Sequence, residues 1–163
     1  MKKDKLGNDN INSIFGIPIL LKDNIGFESL PTTAGAYSLK DNYTEDAFIT
    51  KKLKSEGAII LGKTNLSEWA NYFCSGCPNG YTSLGGQTLN PYGRKVIDTG
   101  GSSSGSGVAT ASNLSSVSLG SETSGSILSP SSANSLVGMK PTIGNVSRSV
   151  SYTHLTLPTT NSV

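Results

Sequence analysis

Apolar residues along this chain come in short runs that are separated by glycine, proline and polar turns. The segment IFGIPILLKDNIG, residues 14–26, holds an apolar run interrupted by Gly16 and Pro18 and followed by a polar Lys-Asp-Asn sequence. A run of this length bounded by turn formers is typical of a buried strand that ends in a polar turn. The shorter segment AIILG, residues 58–62, predicts a second buried strand.

The segment between these two runs has a helical period. Phe48, Ile49 and Leu53 fall on one face of a helix. Thr44 is suited to cap the N-terminus of this helix, and Gly57 stands where a C-terminal cap belongs. The pattern therefore predicts a helix that leads directly into the second strand.

A capping-box pattern follows the second strand. Asn65 precedes Glu68 by three positions, which predicts a second helix that runs through Trp69 and Tyr72. Helix, strand and helix in succession favour an α/β layer structure. Residues 73–99 are rich in turn formers, so we expect a long loop there, most ordered in its GGQTLNPYG part.

The segment GGSSSGSG, residues 100–107, has the composition of a flexible linker, but its surroundings do not fit one. Val108, Ala111 and Leu114 follow it with the spacing of a helix built from small residues. Val117 and Leu119 then alternate with serine as in a strand. Because a Gly/Ser linker has no apolar partners to bury, these neighbours favour a built loop.

Composition places the chain among globular proteins of ordinary size. It has 163 residues, 35% of them apolar, and a formal net charge of +2. This suits one domain, or part of one, and the charge does not indicate a nucleic-acid partner. The sequence lacks an 18-residue apolar run and a signal-peptide pattern, so it predicts neither a membrane span nor secretion, with the cytoplasm as the default compartment.

Cys74 and Cys77 form the only pair of cysteines, in the sequence CSGC. Such a pair could be a redox site or half of a zinc site, but zinc normally needs four ligands and no other cysteine is present. Gly76, Pro78 and Gly80 surround the pair with turn formers, whereas a redox pair normally opens a helix. We therefore expect two free thiols in a loop, with no metal.

The many serines need a base if one of them is a nucleophile. The sole histidine, His154, lies in the C-terminal tail, which argues against a Ser-His-Asp triad. Lys22 follows an apolar run, and burial could lower its pKa from the ordinary value of about 10.4 far enough to make it a base. The alternative is a structural pair between Lys22 and Asp23 or another carboxylate, the commoner role of a lone lysine.

A phosphate-binding loop is the other interpretation of GGSSSGSG. The P-loop requires a lysine before Ser or Thr at the start of its helix, and this segment has none.

Several segments together resemble the amidase signature family of serine hydrolases. They are GIPILLKDNIG, GAIILGKTNLSEWANY, GGSSSGSGVATASNL and SVSLGSETSGSILSPSSANSLVGMKPTIGNVSR, and they follow the family's order over about residues 14–149. Among family members, the sequence looks most similar to stand-alone amidases that include peptide amidases. The resemblance implies an α/β fold, a mixed β-sheet layered by α-helices, of which this chain is an incomplete part.

The resemblance also implies a Ser-cisSer-Lys triad. The base falls on Lys22, the bridging cis serine on Ser102 and the nucleophile on Ser126, which lies 24 positions after Ser102, the family's usual separation. Ser103 is a supporting hydrogen-bond partner. The oxyanion hole falls on backbone amides of Thr123, Ser124, Gly125 and Ser126.

The implied activity is hydrolysis of a linear carboxamide, in a small molecule or peptide amide, through an acyl-enzyme and without a cofactor. The glutamine-hydrolysing component of a tRNA-dependent amidotransferase is the alternative within the same chemistry. The family commonly has arginine at the position of Leu128 and glycine or aspartate at that of Ser124, so these two residues leave the substrate class open.

The resemblance predicts a truncated chain. We expect residues 1–149 to be a partial amidase signature domain and residues 150–163 to be a tail foreign to the family. Loss of sheet strands would expose apolar faces and strand edges. We therefore expect a fragment that is inactive by itself although it carries the triad, and a non-catalytic fragment is the third hypothesis.

Overall fold

The computed structural model of the chain describes residues 14–74 and 76–149. Five strands are present in this part of the chain: β1 (Pro18–Lys22), β2 (Ile59–Thr64), β3 (Tyr81–Thr82), β4 (Gly86–Gln87) and β5 (Val117–Leu119). Its helices are α1 (Phe48–Ser55), α2 (Ser104–Ala111) and α3 (Leu128–Ala133). The predicted tail at residues 150–163 lies outside the described residues, as does His154.

A parallel sheet in the order β2-β1-β5 organises the fold, and β3 and β4 form a separate antiparallel hairpin. Side chains of β1 alternate between the two faces of the sheet. Ile19 and Leu21 are buried on one face, where they pack with Ile25 and Ala47 in a core to which α1 contributes. The mixed α/β class that the sequence predicts is confirmed.

The opposite face of the sheet carries Lys22 and Thr64, which are register partners at the ends of β1 and β2. Helix α2 packs over this end, where the Thr64 and Ser106 hydroxyls lie 2.8 Å apart. Further back along β2, Ile59 and Leu61 are each 51% exposed. The strand predicted from AIILG is therefore present but only half buried, since α2 covers its far end.

Helix α1 forms where the apolar period predicts it, but its first turn differs from the prediction. The helix begins at Phe48 after Ala47, with no side-chain cap. Thr44 is not the cap, and its hydroxyl instead lies 3.1 Å from that of Thr32. Gly57 takes a left-handed φ of +82° just past the helix, as its predicted capping role requires.

The second helix predicted after β2 is wrong. Residues Glu68–Asn71 form a single 3-10 turn in which Trp69 and Ala70 have positive φ angles. The Asn65 amide is not a cap, because it donates to the Gly80 and Gly86 carbonyls and to the Thr88 hydroxyl. The capping-box pattern fails because the Asn65 side chain forms long-range hydrogen bonds instead of local ones.

The loop at residues 73–99 contains the β3–β4 hairpin and a disulfide. Cys74 and Cys77 are bonded to each other, with their Cα atoms 5.6 Å apart. The expectation of two free thiols is therefore wrong. The turn formers that suggested an inert loop have the opposite effect, because a left-handed Gly76 (φ +86°) folds the chain back so that the two sulfurs meet.

The helix and strand predicted after the Gly/Ser segment are confirmed as α2 and β5. The loop before them is closely packed: the side chains of Ser102, Ser103 and Ser104 are all buried. Helix α3 has no counterpart among the sequence predictions. Within residues 14–74 and 76–149, none of the helices has the length and apolar character needed to cross a membrane.

Candidate active site

Lys22 ends β1 on the face of the sheet that α2 covers, and its side chain has no solvent-exposed surface. Its Nζ donates to the Ser102 hydroxyl at 2.7 Å and to the Ser121 carbonyl at 3.1 Å. The ammonium is thus enclosed by neutral oxygen atoms. The structure brings together two of the residues that the sequence singles out, although they are 80 positions apart.

Burial lowers the pKa of Lys22 from 10.5 to about 7, and the negative charge of Glu122 opposes this shift. Desolvation dominates because moving an ammonium out of water disfavours its charged form. The adjacent Asp23 does not neutralise Lys22, since its carboxylate pairs with Lys63 at 3.3 Å. The structural Lys22–Asp23 pair considered from the sequence is therefore not formed, and Lys22 is available in its neutral form near pH 7.

The position of Ser102 is fixed from both sides of its backbone. The Gly101–Ser102 peptide bond is cis. The Ser102 carbonyl accepts a hydrogen bond from the Ser67 amide at 2.9 Å. A Cβ added to Gly101 would lie 2.6 Å from the Ser67 hydroxyl, so only glycine fits beside Ser102.

Ser103 connects the strand end to the turn that carries Ser126. Its hydroxyl donates to the Ser121 carbonyl at 3.2 Å, the same carbonyl that accepts from Lys22. Its amide donates to the Ser126 carbonyl at 3.1 Å. Asn24 adds a further tie, because its amide donates to the Ser121 hydroxyl at 2.8 Å. Ser103 therefore lies between the Lys22–Ser102 pair and Ser126.

The turn that holds Ser126 folds around the carboxylate of Glu122. This carboxylate is 2% exposed and accepts hydrogen bonds from three backbone amides, those of Gly125 (2.8 Å), Ile127 (2.7 Å) and Leu128 (3.0 Å). Lys140 adds an ion pair at 3.2 Å. Burial raises the pKa of Glu122, but the three amides and Lys140 outweigh it and hold that pKa below its usual range.

Residues 123–126, to which the resemblance assigns the oxyanion hole, divide into two groups. The Gly125 amide is engaged by Glu122. The amides of Thr123, Ser124 and Ser126 have no acceptor within residues 14–74 and 76–149. In the same part of the chain, no hydrogen bond joins the Ser126 hydroxyl to Ser102. The structure thus brings Ser126 next to Ser103 through the backbone and leaves its hydroxyl unattached to the Lys22–Ser102 pair.

Sequence reasoning missed three residues of this site: Asn24, Ser121 and Glu122. Serine and asparagine are too common in this chain to be singled out by type. Glu122 did carry a signal, because it is the only acidic residue after Asp98. A lone carboxylate within a Gly/Ser-rich stretch is expected to have a specific structural partner, since isolated charges are costly to bury.

Comparison with known proteins decides the family. The family model described as Amidase matches residues 1–163. The chain belongs to the amidase family. A protein of Arabidopsis thaliana named as a probable amidase is 44% identical over 149 residues, which are 90% of this chain and 29% of that protein. The GatA-type component of the glutamyl-tRNA(Gln) amidotransferase of Methanococcus vannielii is 46% identical over 151 residues, which are 90% of this chain and 32% of that protein.

Solved structures of the amidase family show the same fold. The peptide amidase of Stenotrophomonas maltophilia is 50% identical, with a TM-score of 0.81 over 83% of this chain and 28% of that one. An amidase family protein of Bacillus anthracis is 48% identical, with a TM-score of 0.82 and the same coverage of both chains. The chain therefore spans less than a third of the length of these relatives, and the elements described above are one part of the amidase fold.

Proposed function

We propose that this chain carries the reacting groups of an amidase that hydrolyses a linear carboxamide through an acyl-enzyme. Ser126 is the nucleophile, Ser102 the proton relay and Lys22 the base. The observation that carries the proposal is the fully buried Lys22, whose Nζ lies 2.7 Å from the Ser102 hydroxyl. A buried lysine without a carboxylate partner is costly, and function accounts for it better than stability does.

In the first half of the reaction, the Ser126 oxygen attacks the carbonyl carbon of the amide. The Ser126 proton passes to Ser102 as the Ser102 proton passes to neutral Lys22. The resulting lysine ammonium returns a proton through Ser102 to the nitrogen of the substrate. The C–N bond then breaks, ammonia or an amine leaves, and an ester joins the acyl group to Ser126.

In the second half, water takes the place of Ser126 as nucleophile. The relay accepts a proton from the water as it attacks the ester, and Ser126 leaves with that proton. The products are a carboxylic acid and regenerated enzyme, so no cofactor is consumed. For this relay to operate, the Ser126 hydroxyl has to rotate toward Ser102, a side-chain rotamer change that the half-buried position of Ser126 permits.

Backbone amides near Ser126 are suited to stabilise the oxyanion formed in each half. The amides of Thr123, Ser124 and Ser126 carry this role in the proposal, since they have no acceptor in the described part of the chain. Gly125 is the departure from the sequence expectation, because its amide already donates to Glu122. Fixed donors of this kind are commonly the largest single contribution to acyl-transfer catalysis.

The proposed substrate is an amide of a small molecule or peptide. The 50% identity to a peptide amidase supports a peptide amide. A second candidate is the glutaminase reaction of a tRNA-dependent amidotransferase, which the 46% identity to the M. vannielii protein supports. The two predict different behaviour: the second requires glutaminase activity and stable association with a partner protein, and the first requires neither.

Fluorophosphonate labelling tests the proposal. Because the chain spans under a third of its relatives, we would label both the 163-residue chain and a chimera. In the chimera, residues 14–149 replace the matching segment of the S. maltophilia peptide amidase. We expect the chimera to be labelled at Ser126, as located by peptide mass spectrometry, and Ser126→Ala to abolish labelling. Labelling that persists in Ser126→Ala would refute the assignment of the nucleophile.

The isolated chain separates catalytic competence from completeness. A labelled chimera together with an unlabelled 163-residue chain would support the view that residues 14–149 hold the reacting groups but need further structure to act. Labelling of both would contradict the expectation that the chain is inactive by itself.

A further inference from the structure

Lys140 is a further charged residue that contacts the core of this site. Its Nζ lies 3.2 Å from the Glu122 carboxylate, while its own side chain is partly exposed. Lys140 belongs to the segment that follows α3, 18 positions after Glu122, so the contact closes a long loop of chain. Nothing in the proposed mechanism uses Lys140, and its position requires a separate explanation.

Glu122 is held in a way that suits a structural anchor. Its two oxygens accept from amides before and after Ser126, namely those of Gly125, Ile127 and Leu128. The carboxylate therefore sets the curvature of the turn on which Ser126 lies. A buried carboxylate that lost its cation would stay charged, because three amides still bind it, but it would be less tightly placed.

The charge of Glu122 also acts on Lys22, whose positive form it favours. The other charged side chains at this end of the sheet are Asp23 and Lys63, which pair with each other at 3.3 Å. Glu122 and Lys140 thus form a second pair at the site, and the balance between their two charges determines how much negative field reaches Lys22.

We propose that Lys140 is a positioning residue of this site, which fixes Glu122 and, through it, the turn that carries Ser126. The inference rests on the proposed function above. Lys140 itself touches neither the reacting groups nor the proposed donors to the oxyanion. Its role is to hold the Glu122 carboxylate in place and to offset its charge.

Four variants of the chimera, assayed for hydrolysis across pH, test this role. Lys140→Met is expected to lower kcat by about tenfold or more, since small misplacements of a nucleophile are costly. It also leaves Glu122 uncompensated, so the pKa of Lys22 should rise and the acid limb of the pH profile should move to higher pH. Glu122→Gln removes the negative charge, and its acid limb should move to lower pH. Lys140→Arg should recover most of the lost activity.

Lys52→Met is the matched control, because Lys52 forms an exposed pair with Glu56 at 2.6 Å. The same chemical change there should leave activity within about twofold of the parent. The opposite directions of the Lys140→Met and Glu122→Gln limbs distinguish this role from a loss of folding, since the position of a limb does not depend on how much protein is folded.

Two results would overturn the inference. The first is a Lys140→Met variant with the kcat and acid limb of the parent, and the second is a shift of both limbs in the same direction. The Ser126→Ala variant in the same background keeps the proposed function separate. If Ser126→Ala is inactive and Lys140→Met behaves as the parent, only the role of Lys140 fails, whereas an active Ser126→Ala refutes the proposed function itself.

Discussion

At the scale of single residues, burial determines the chemistry of Lys22. The apolar run before it pointed to burial, and the structure places the side chain wholly inside, against the Ser102 hydroxyl. The sequence could not show that Asp23 would pair with Lys63 instead, because that pair joins two strands. It was likewise silent on Ser121, whose contribution is a backbone carbonyl that any residue type could supply.

Two adjacent serines should differ sharply in their effect on activity. Ser102→Ala removes the hydroxyl that bonds Lys22, so we expect kcat of the chimera to fall by roughly 10²- to 10⁴-fold, the usual contribution of a proton-transfer group. Ser103→Ala removes only a bond to the Ser121 carbonyl, and we expect a loss on the order of tenfold. Equal losses in the two variants, measured by steady-state hydrolysis, would contradict the relay role of Ser102.

At the scale of elements, the segments with strong periodicity were predictable and those held by long-range polar contacts were not. Strand β1, helix α2 and strand β5 follow from apolar spacing alone. The helix expected after Asn65 does not form, because the Asn65 amide bonds groups 15 to 23 positions away. Propensity and capping patterns describe local preferences, and here tertiary hydrogen bonds outweigh them.

Helix α2 approaches the Asn65 backbone so closely that one of its glycines is expected to be irreplaceable. A Cβ on Gly105 would overlap the Asn65 carbonyl and lie 2.7 Å from its nitrogen. Glycine to alanine normally stabilises a helix interior by about 1 kcal/mol, but overpacking against backbone costs about 1–3 kcal/mol. We therefore expect Gly105→Ala to lower the free energy of unfolding of the chimera.

Gly107→Ala in the same helix is the control for this prediction. An added Cβ there would meet its nearest neighbours, the Asn134 amide and the Pro130 carbonyl, at 3.1 Å, where small adjustments suffice. Urea denaturation should show a smaller loss for Gly107→Ala than for Gly105→Ala. The reverse order would mean that the helix is free to move away from Asn65.

At the scale of the whole molecule, several large apolar side chains after α3 are exposed. Val137 is fully exposed and Met139 is 78% exposed. Ile143 adds a third apolar side chain that faces solvent. Contiguous apolar surface of this kind marks an interaction surface or an aggregation risk. The sequence anticipated uncovered apolar faces in general, but which residues form them depends on packing that only the folded chain defines.

This surface predicts that the isolated 163-residue chain binds the dye ANS and self-associates. A Val137→Ser/Met139→Ser double variant should bind less dye and sediment more nearly as a monomer, because it removes exposed apolar side chains without touching the core. Fluorescence titration and sedimentation velocity measure the two effects. A double variant that is indistinguishable from the parent in both would show that these residues do not govern association.

The protonation state of Lys22 is the point on which the account depends most directly. Only the neutral amine can accept the Ser102 proton, so the proposed chemistry requires a lysine that loses its charge near neutral pH. NMR titration of ¹³C-labelled lysine side chains in the chimera, with Lys22→Met to assign the signal, measures this without reference to any substrate. We predict that Lys22 titrates at about pH 7. Titration above pH 10, together with the exposed lysines, would contradict the proposed base.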